Sequence, residues 1–152
     1  MAVQKVRLLS ALASIDRKDF ALADPSLLDF ENANPLEMGE WLTFNTSQKL
    51  IRAANPGVLP GPYLLFAEKG RSDTQGIAGG KAPILFQGGY WAETTLFNGT
   101  PGLGAQLEVA EVLVGSLSKR GLQAYASGTI IGFVTKRAAD NGGWLQFQQT
   151  LV

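Results

Sequence analysis

The sequence predicts a mainly all-β protein: a small antiparallel β-sandwich or barrel with hairpins, long irregular loops and an N-terminal arm or short helix. Three observations predict it. Short apolar or alternating runs fill the last third, from Gly104 to Phe147, and their two-residue period is that of strands. Easily turned residues separate these runs at Gly115 to Ser118 and Asp140 to Gly143, and Asn141-Gly142 is a strong hairpin signal because both types tolerate positive φ. The same alternation recurs upstream, in Trp41 to Phe44 and Lys49 to Ala53. The residues that carry these runs are Leu107, Val109, Leu122, Ala124, Ile130, Ile131, Phe133, Val134, Leu145 and Phe147, the reading of a compact antiparallel β unit.

Taken in order, the chain opens on Val6, Leu9, Leu12 and Ile15, a three-residue spacing with Leu8 and Ala11 beside it. These letters fit either a short amphipathic helix or an arm that orders against a partner, because a helix of this length is marginal without packing. Asp16 to Asp19 reads as a charged break, and Phe20 to Asn34 as irregular chain with turns at Asp24-Pro25-Ser26 and Asn32 to Pro35. Trp41 and Thr43 on one face, Leu42 and Phe44 on the other, then the turn Asn45 to Gln48 and the return Lys49 to Ala53, make a hairpin. Asn55 to Pro62 is a proline-rich surface connection, Tyr63 to Ala67 a strand, and Glu68 to Lys81 a polar, glycine-rich loop. Ala82 to Phe97 returns to strand character, with a bulge or bend at Gly88-Gly89, and Asn98 to Gly104 turns into the closing unit. Gly39 to Ala53 and Gly104 to Ala124 also echo each other: two similar hairpins that would suit the halves of a sandwich or barrel, or agree by chance.

A chain of 152 residues is expected to form one domain with a real core, divided here into an N-terminal arm or short helix at 1–19 and a single β-rich domain at 20–152. Lys+Arg and Asp+Glu balance at 13 each, so no positive field exists to hold nucleic acid or an anionic membrane, and neither is an expected partner. The charged fraction of 17% is below the roughly one quarter of an average domain, which suits a surface that partners cover. No apolar stretch approaches the roughly 20 residues of a spanning helix, and the N-terminus lacks a signal-peptide pattern, so synthesis in a cytoplasm without export is expected.

With neither cysteine nor histidine, the chain lacks thiolate nucleophiles and the commonest general base and metal ligand. No catalytic residue, cofactor or metal is therefore expected. GIAGGK at 76–81 departs from a phosphate-binding loop at Gln75 and Ala82, and Gly99, Gly102 and Gly104 precede no helix pattern. The carboxylates Asp16, Asp19, Asp24, Asp29 and Glu31 lack ligand-loop spacing and read as solvated charge or turn caps. Asn45 and Asn98 match the glycosylation pattern by letter and read as turns. The large aromatics Trp41, Tyr90, Trp91 and Trp144 divide between core and interface. The candidate interface set is Val6, Leu8, Leu9, Leu12 and Ile15 from the first segment with Trp41, Tyr90 and Trp91.

The runs ADPSLLDFENANPLEMGEWLTFNTSQKLIRA, ILFQGGYWAETTLF and GAQLEVAE through GLQAYASGTIIGFVTKRAADNGGWLQF resemble the capsid decoration, or structural cement, proteins of tailed bacteriophages, over Ala23 to Phe147. The resemblance implies a β-rich virion protein on the capsid exterior, made in the host bacterial cytoplasm. Its partners would be the major capsid protein and itself, commonly as a homotrimer, with the terminal segment Met1 to Asp19 reaching neighbouring subunits. A tail or head-fibre component, a carbohydrate-binding β module and a hydrolase working with carboxylates alone are the alternatives.

Overall fold

The structure, a computed structural model, describes residues 6–9, 16–29, 31–53, 63–66, 81–87 and 89–150. Among them eleven strands form two antiparallel sheets, and the helical content is two short 3-10 turns. The strands are β1 (Val6–Leu8), β2 (Asp16–Ala21), β3 (Trp41–Phe44), β4 (Leu50–Arg52), β5 (Leu64–Leu65), β6 (Lys81–Gln87), β7 (Trp91–Thr94), β8 (Gln106–Val114), β9 (Leu117–Ala124), β10 (Ile130–Lys136) and β11 (Leu145–Gln149). Among the described residues no helix is long and apolar enough to cross a membrane.

The two sheets share one topology. The first runs β2-β6-β5-β3-β4, and the second runs β7-β11-β10-β8-β9 with β1 added beside β7. Each is a five-strand unit in the order first, fifth, fourth, second, third. Backbone bonds repeat position for position. Gly39 (φ 102) donates to Phe66 O at 2.8 Å, and Gly104 (φ 78) to Val134 O at 2.9 Å, each from a left-handed conformation that glycine adopts without a β-carbon penalty. Phe66 N and Val134 N answer with bonds to Glu40 O and Ala105 O, both 2.9 Å. Past the first strand of each unit the chain crosses to the far edge, where parallel bridges pair Leu22 with Leu50 and Phe97 with Leu122. These bridges curl each sheet and cover its last edge without closing a barrel. The echo between residues 39–53 and 104–124 thus falls on the matching second and third strands of the two units.

The units differ in what fills them. Alternation puts Leu42, Leu64 and Ile84 on the inner face of the first sheet, where Leu28 and Leu36 from residues 23–38 join Leu22, Leu50 and Phe66 in a core of their own. In the second unit the matching connection is residues 98–103, whose Leu103 points outward and is 73% exposed. Its interior, lined by Ala92, Leu107, Val134 and Phe147, is capped instead by Trp41, Leu65 and Leu85 from the other face of the first sheet. Trp41 meets Phe147 with ring centroids 6.1 Å apart. The first sheet is therefore buried on both faces, which is why Trp41-Leu42 and Leu64-Leu65 are each buried pairs.

A polar seam joins the units beside Trp41. The buried Glu40 carboxylate accepts from Arg52 Nε at 2.9 Å, Arg120 N at 3.0 Å and Glu37 N at 2.8 Å, with Lys119 Nζ 4.0 Å away. Lys119 also donates to Pro35 O, and Arg120 Nε to Ala53 O at 2.7 Å, so every charge at the seam has partners.

Two expectations need correction. Where the sequence suggests a helix or free arm at 1–19, the described residues are strands: Val6–Leu8 pairs with β7 and Asp16–Ala21 with β6. Pairing to an available strand edge outweighs a weak three-residue apolar spacing, and an edge strand tolerates the charges of Asp16 to Asp19. The break near Gly89 (φ 57) is not a bulge within one sheet, since the chain leaves β6 in the first sheet there and enters β7 in the second. The connections expected at Asn55 to Pro62 and at residues 68–80 lie outside the described residues.

Candidate interaction surface

Cross-strand register on the second sheet sets one row of side chains on the face turned away from the core. Leu9 N donates to Trp91 O at 2.8 Å, Trp91 pairs with Gln148, Gln148 with Phe133, Phe133 with Gln106, and Tyr125 N donates to Gln106 O at 2.8 Å. Directly paired residues share a face, so Trp91, Gln148, Phe133 and Gln106 cross four strands side by side, with Leu9 and Tyr125 continuing the row just past the ends of β1 and β9. Five interstrand steps of about 4.8 Å make the row ~24 Å long. Exposures of 40% for Leu9, 42% for Trp91, 39% for Phe133 and 44% for Tyr125 put four of the large exposed apolar side chains in this one line.

The row is held in place from its flanks. Trp91 Nε1 donates to Thr135 Oγ1 at 3.1 Å, and Thr135 Oγ1 donates to Gln146 Oε1 at 3.1 Å. The Gln148 amide donates to the carbonyls of Gly89 and Tyr90. Beside Leu9, Arg7 pairs with Glu93 at 2.6 Å and lies 3.7 Å over the Trp144 ring, while Asn141 Nδ2 donates to Glu93 Oε2 at 2.6 Å. The loop that carries Tyr125 is fixed by Glu108, whose carboxylate accepts from Ala126 N, from Ser127 N at 3.0 Å and from Gly128 N at 3.4 Å. Burial pushes the Glu108 carboxyl up, but these N–H donors outweigh it and hold the group below the ordinary carboxylate range.

Of the sequence-predicted interface residues, the structure brings Leu9 and Trp91 together on this row. Val6, Trp41 and Tyr90 are buried in the core and cannot serve as contacts, because alternation along β1 and the capping of the second unit turn them inward. Leu8 is half-buried against the same core, and Leu12 and Ile15 lie outside the described residues. Phe133, Tyr125, Gln148 and Gln106 are row members that the sequence reading did not single out as surface. Phe133 belongs to the apolar runs of the closing unit, and its position between the inward Val134 and the closely packed Gly132 was the signal that it faces out.

Among the described residues no group of acidic side chains is placed to hold a metal ion. An open depression of about 530 Å³ beside Leu103 is bordered by Lys136 and by Arg137 and Asp140, which pair with each other at 2.8 Å. Two exposed apolar side chains lie off the row at opposite ends of β8: Leu103 before it, and Leu113 at the β8–β9 hairpin. No protein-family model, curated protein or solved structure matches the chain.

Proposed function

We propose that the chain is a virion structural protein of the capsid-decoration kind, binding the exterior of an assembled phage shell and cementing neighbouring capsid subunits without catalysis. The observation that supports it is the distribution of exposed apolar side chains. A cement needs several contact surfaces on one rigid body, and here the aromatic row, bordered by the depression beside Leu103, and Leu113 at the β8–β9 hairpin are carried on a body with two filled cores. Each bound copy adds contact area across a subunit boundary. Because the site exists only in the assembled shell, binding stabilises that state by mass action, and many weak copies on one lattice act together.

Co-sedimentation with shells of the encoding virus that lack the protein tests this reading. Saturable binding at a stoichiometry matching the symmetry axes, with none to unassembled capsid subunits, is the expected result. Absence of binding refutes it and moves the assignment to a tail component or a glycan-binding module. The glycan reading draws on one observation, the alternation of aromatic rings and amides along the row, since rings stack on sugars and amides bond to hydroxyls. Glycan titration should then change the fluorescence of Trp91, because Trp41 is buried.

A further inference from the structure

The exposed row has a symmetry that bears on its partner. Centred on Phe133, it reads aromatic, glutamine, phenylalanine, glutamine, aromatic in either direction: Trp91, Gln148, Phe133, Gln106, Tyr125. A twofold contact requires a surface complementary to itself. The geometry points to a dimer in which two copies of the chain set these rows face to face about an axis at Phe133. Trp91 then lies opposite Tyr125 of the second copy, and Gln148 opposite Gln106, whose NH₂ can donate to Gln148 Oε1 while the Gln148 NH₂ stays on the Gly89 and Tyr90 carbonyls. No residue of the row is charged, so pairing it with itself opposes no like charges.

The internal repeat supports the same surface. By topology the row of the second unit matches Leu85, Leu65, Trp41 and Ala53 of the first, through the register Leu85 to Leu65, Leu65 to Trp41 and the bond from Ala53 N to Trp41 O at 3.1 Å. All four of these are buried against the second unit. This face of the fold already serves as an interface once in the molecule. Head-to-tail stacking through the same face is closed to a second copy, because Leu28 and Leu36 occupy the interior of its first unit and the first unit occupies that of its second. The face-to-face arrangement is the one that remains. The overlapping part, Trp91 to Tyr125, spans four interstrand steps or ~19 Å, and at about six residues deep it covers on the order of 400 Å² per copy, the range of a weak contact, so concentration-dependent association is expected.

Sedimentation equilibrium of the full chain, without shells, should show a monomer–dimer equilibrium. Phe133→Lys sets two ammonium groups against each other on the axis and should leave a folded monomer. Trp91→Lys and Tyr125→Glu should each weaken self-association, and mixing the two variants should restore a heterodimer, because the new ammonium and carboxylate face each other. A covalent readout is independent of any loss of stability: in this chain without cysteine, Phe133→Cys should oxidise to a disulfide-linked dimer, whereas Leu113→Cys at the hairpin should not. A chain still monomeric at about 1 mM overturns the proposal. So does a trimer, a dimer indifferent to Phe133→Lys, or equal crosslinking at both cysteine positions. None of these measurements involves a capsid, so their failure leaves the decoration reading standing, and failure of shell binding leaves the dimer standing.

Discussion

Replacing Glu40 with glutamine removes one charge from the seam between the units while keeping the side chain's shape. The native carboxylate accepts from Arg52 Nε and Nη2 at 2.9 and 3.2 Å, from Arg120 N at 3.0 Å and from Glu37 N at 2.8 Å, and it lies 4.0 Å from the buried Lys119 Nζ. The amide must turn its NH₂ group toward one of these donors, and Lys119 loses the charge beside it. Breaking a buried ion pair from one side costs about 3–5 kcal/mol. That is a large share of the roughly 5–15 kcal/mol that holds a domain folded. With a urea dependence of roughly 1–3 kcal/mol per molar, the midpoint of unfolding should fall by about 1 M or more. Urea titration followed by tryptophan fluorescence and far-UV circular dichroism reads the shift. Adding Lys119→Met to Glu40→Gln removes the stranded charge and should recover about 1–3 kcal/mol of the loss. A loss below about 1 kcal/mol, or strict additivity of the two substitutions, would refute the account of the seam.

Tyr90→Phe should stabilise the fold by about 1 kcal/mol, because the native hydroxyl is buried with no hydrogen-bond partner among the described residues. Burial also holds the Tyr90 pKa well above its ordinary value, so its contribution is complete below about pH 10 and declines as the pH rises beyond that. Thermal unfolding above about pH 10 should therefore penalise the native chain more than Tyr90→Phe. For Glu108 the sign reverses: its lowered pKa gives stability that is present above the unfolded value of about 4.3 and is lost as the pH falls through the folded value. Glu108→Gln should flatten the acid limb of the stability profile and speed hydrogen exchange at Ala126, Ser127 and Gly128. A β-carbon at Gly121 would press on the Leu96 carbonyl and come within 2.7 Å of Val112 Cγ2. Gly121→Ala should cost about 1–3 kcal/mol and speed exchange of Leu122 N–H, which bonds to Leu96 O.

Local pattern carried the strands that alternate and turn within a few residues. Leu107, Val109, Leu122, Val134, Leu145 and Phe147 are all buried as expected, and the hairpin turns at Gly115 (φ 64) and Gly142 (φ 63) use the conformation their residue type favours. The faces of Trp41 and Leu42 were also legible, though not that both would be buried, since that depends on a second sheet supplied by residues far along the chain. β1 and β2 were not legible because their partners, Thr94 to Ala92 and Gln87 to Lys81, lie 60 or more positions away, and no local period signals such pairing. The contact row is of the same kind. Four of its six members come from four different strands and the other two follow β1 and β9, so only the register between strands sets Trp91 near Phe133 and Tyr125.

The unequal connections of the two units also set an order of assembly. The first unit carries Leu28 and Leu36 for its own interior, so its core is complete in the chain by residue 87. The second unit needs Trp41, Leu65 and Leu85 from the first, and these have already been synthesised when β7 emerges. At about 5–20 residues per second, the two N-terminal strands wait longest, roughly 4–18 s for β1 from Val6 until Thr94 is made and roughly 3–14 s for β2 until β6 is made. The N-terminal half thus acts as a template on which the C-terminal half condenses, and β1 can return to β7 before β8 to β11 are made.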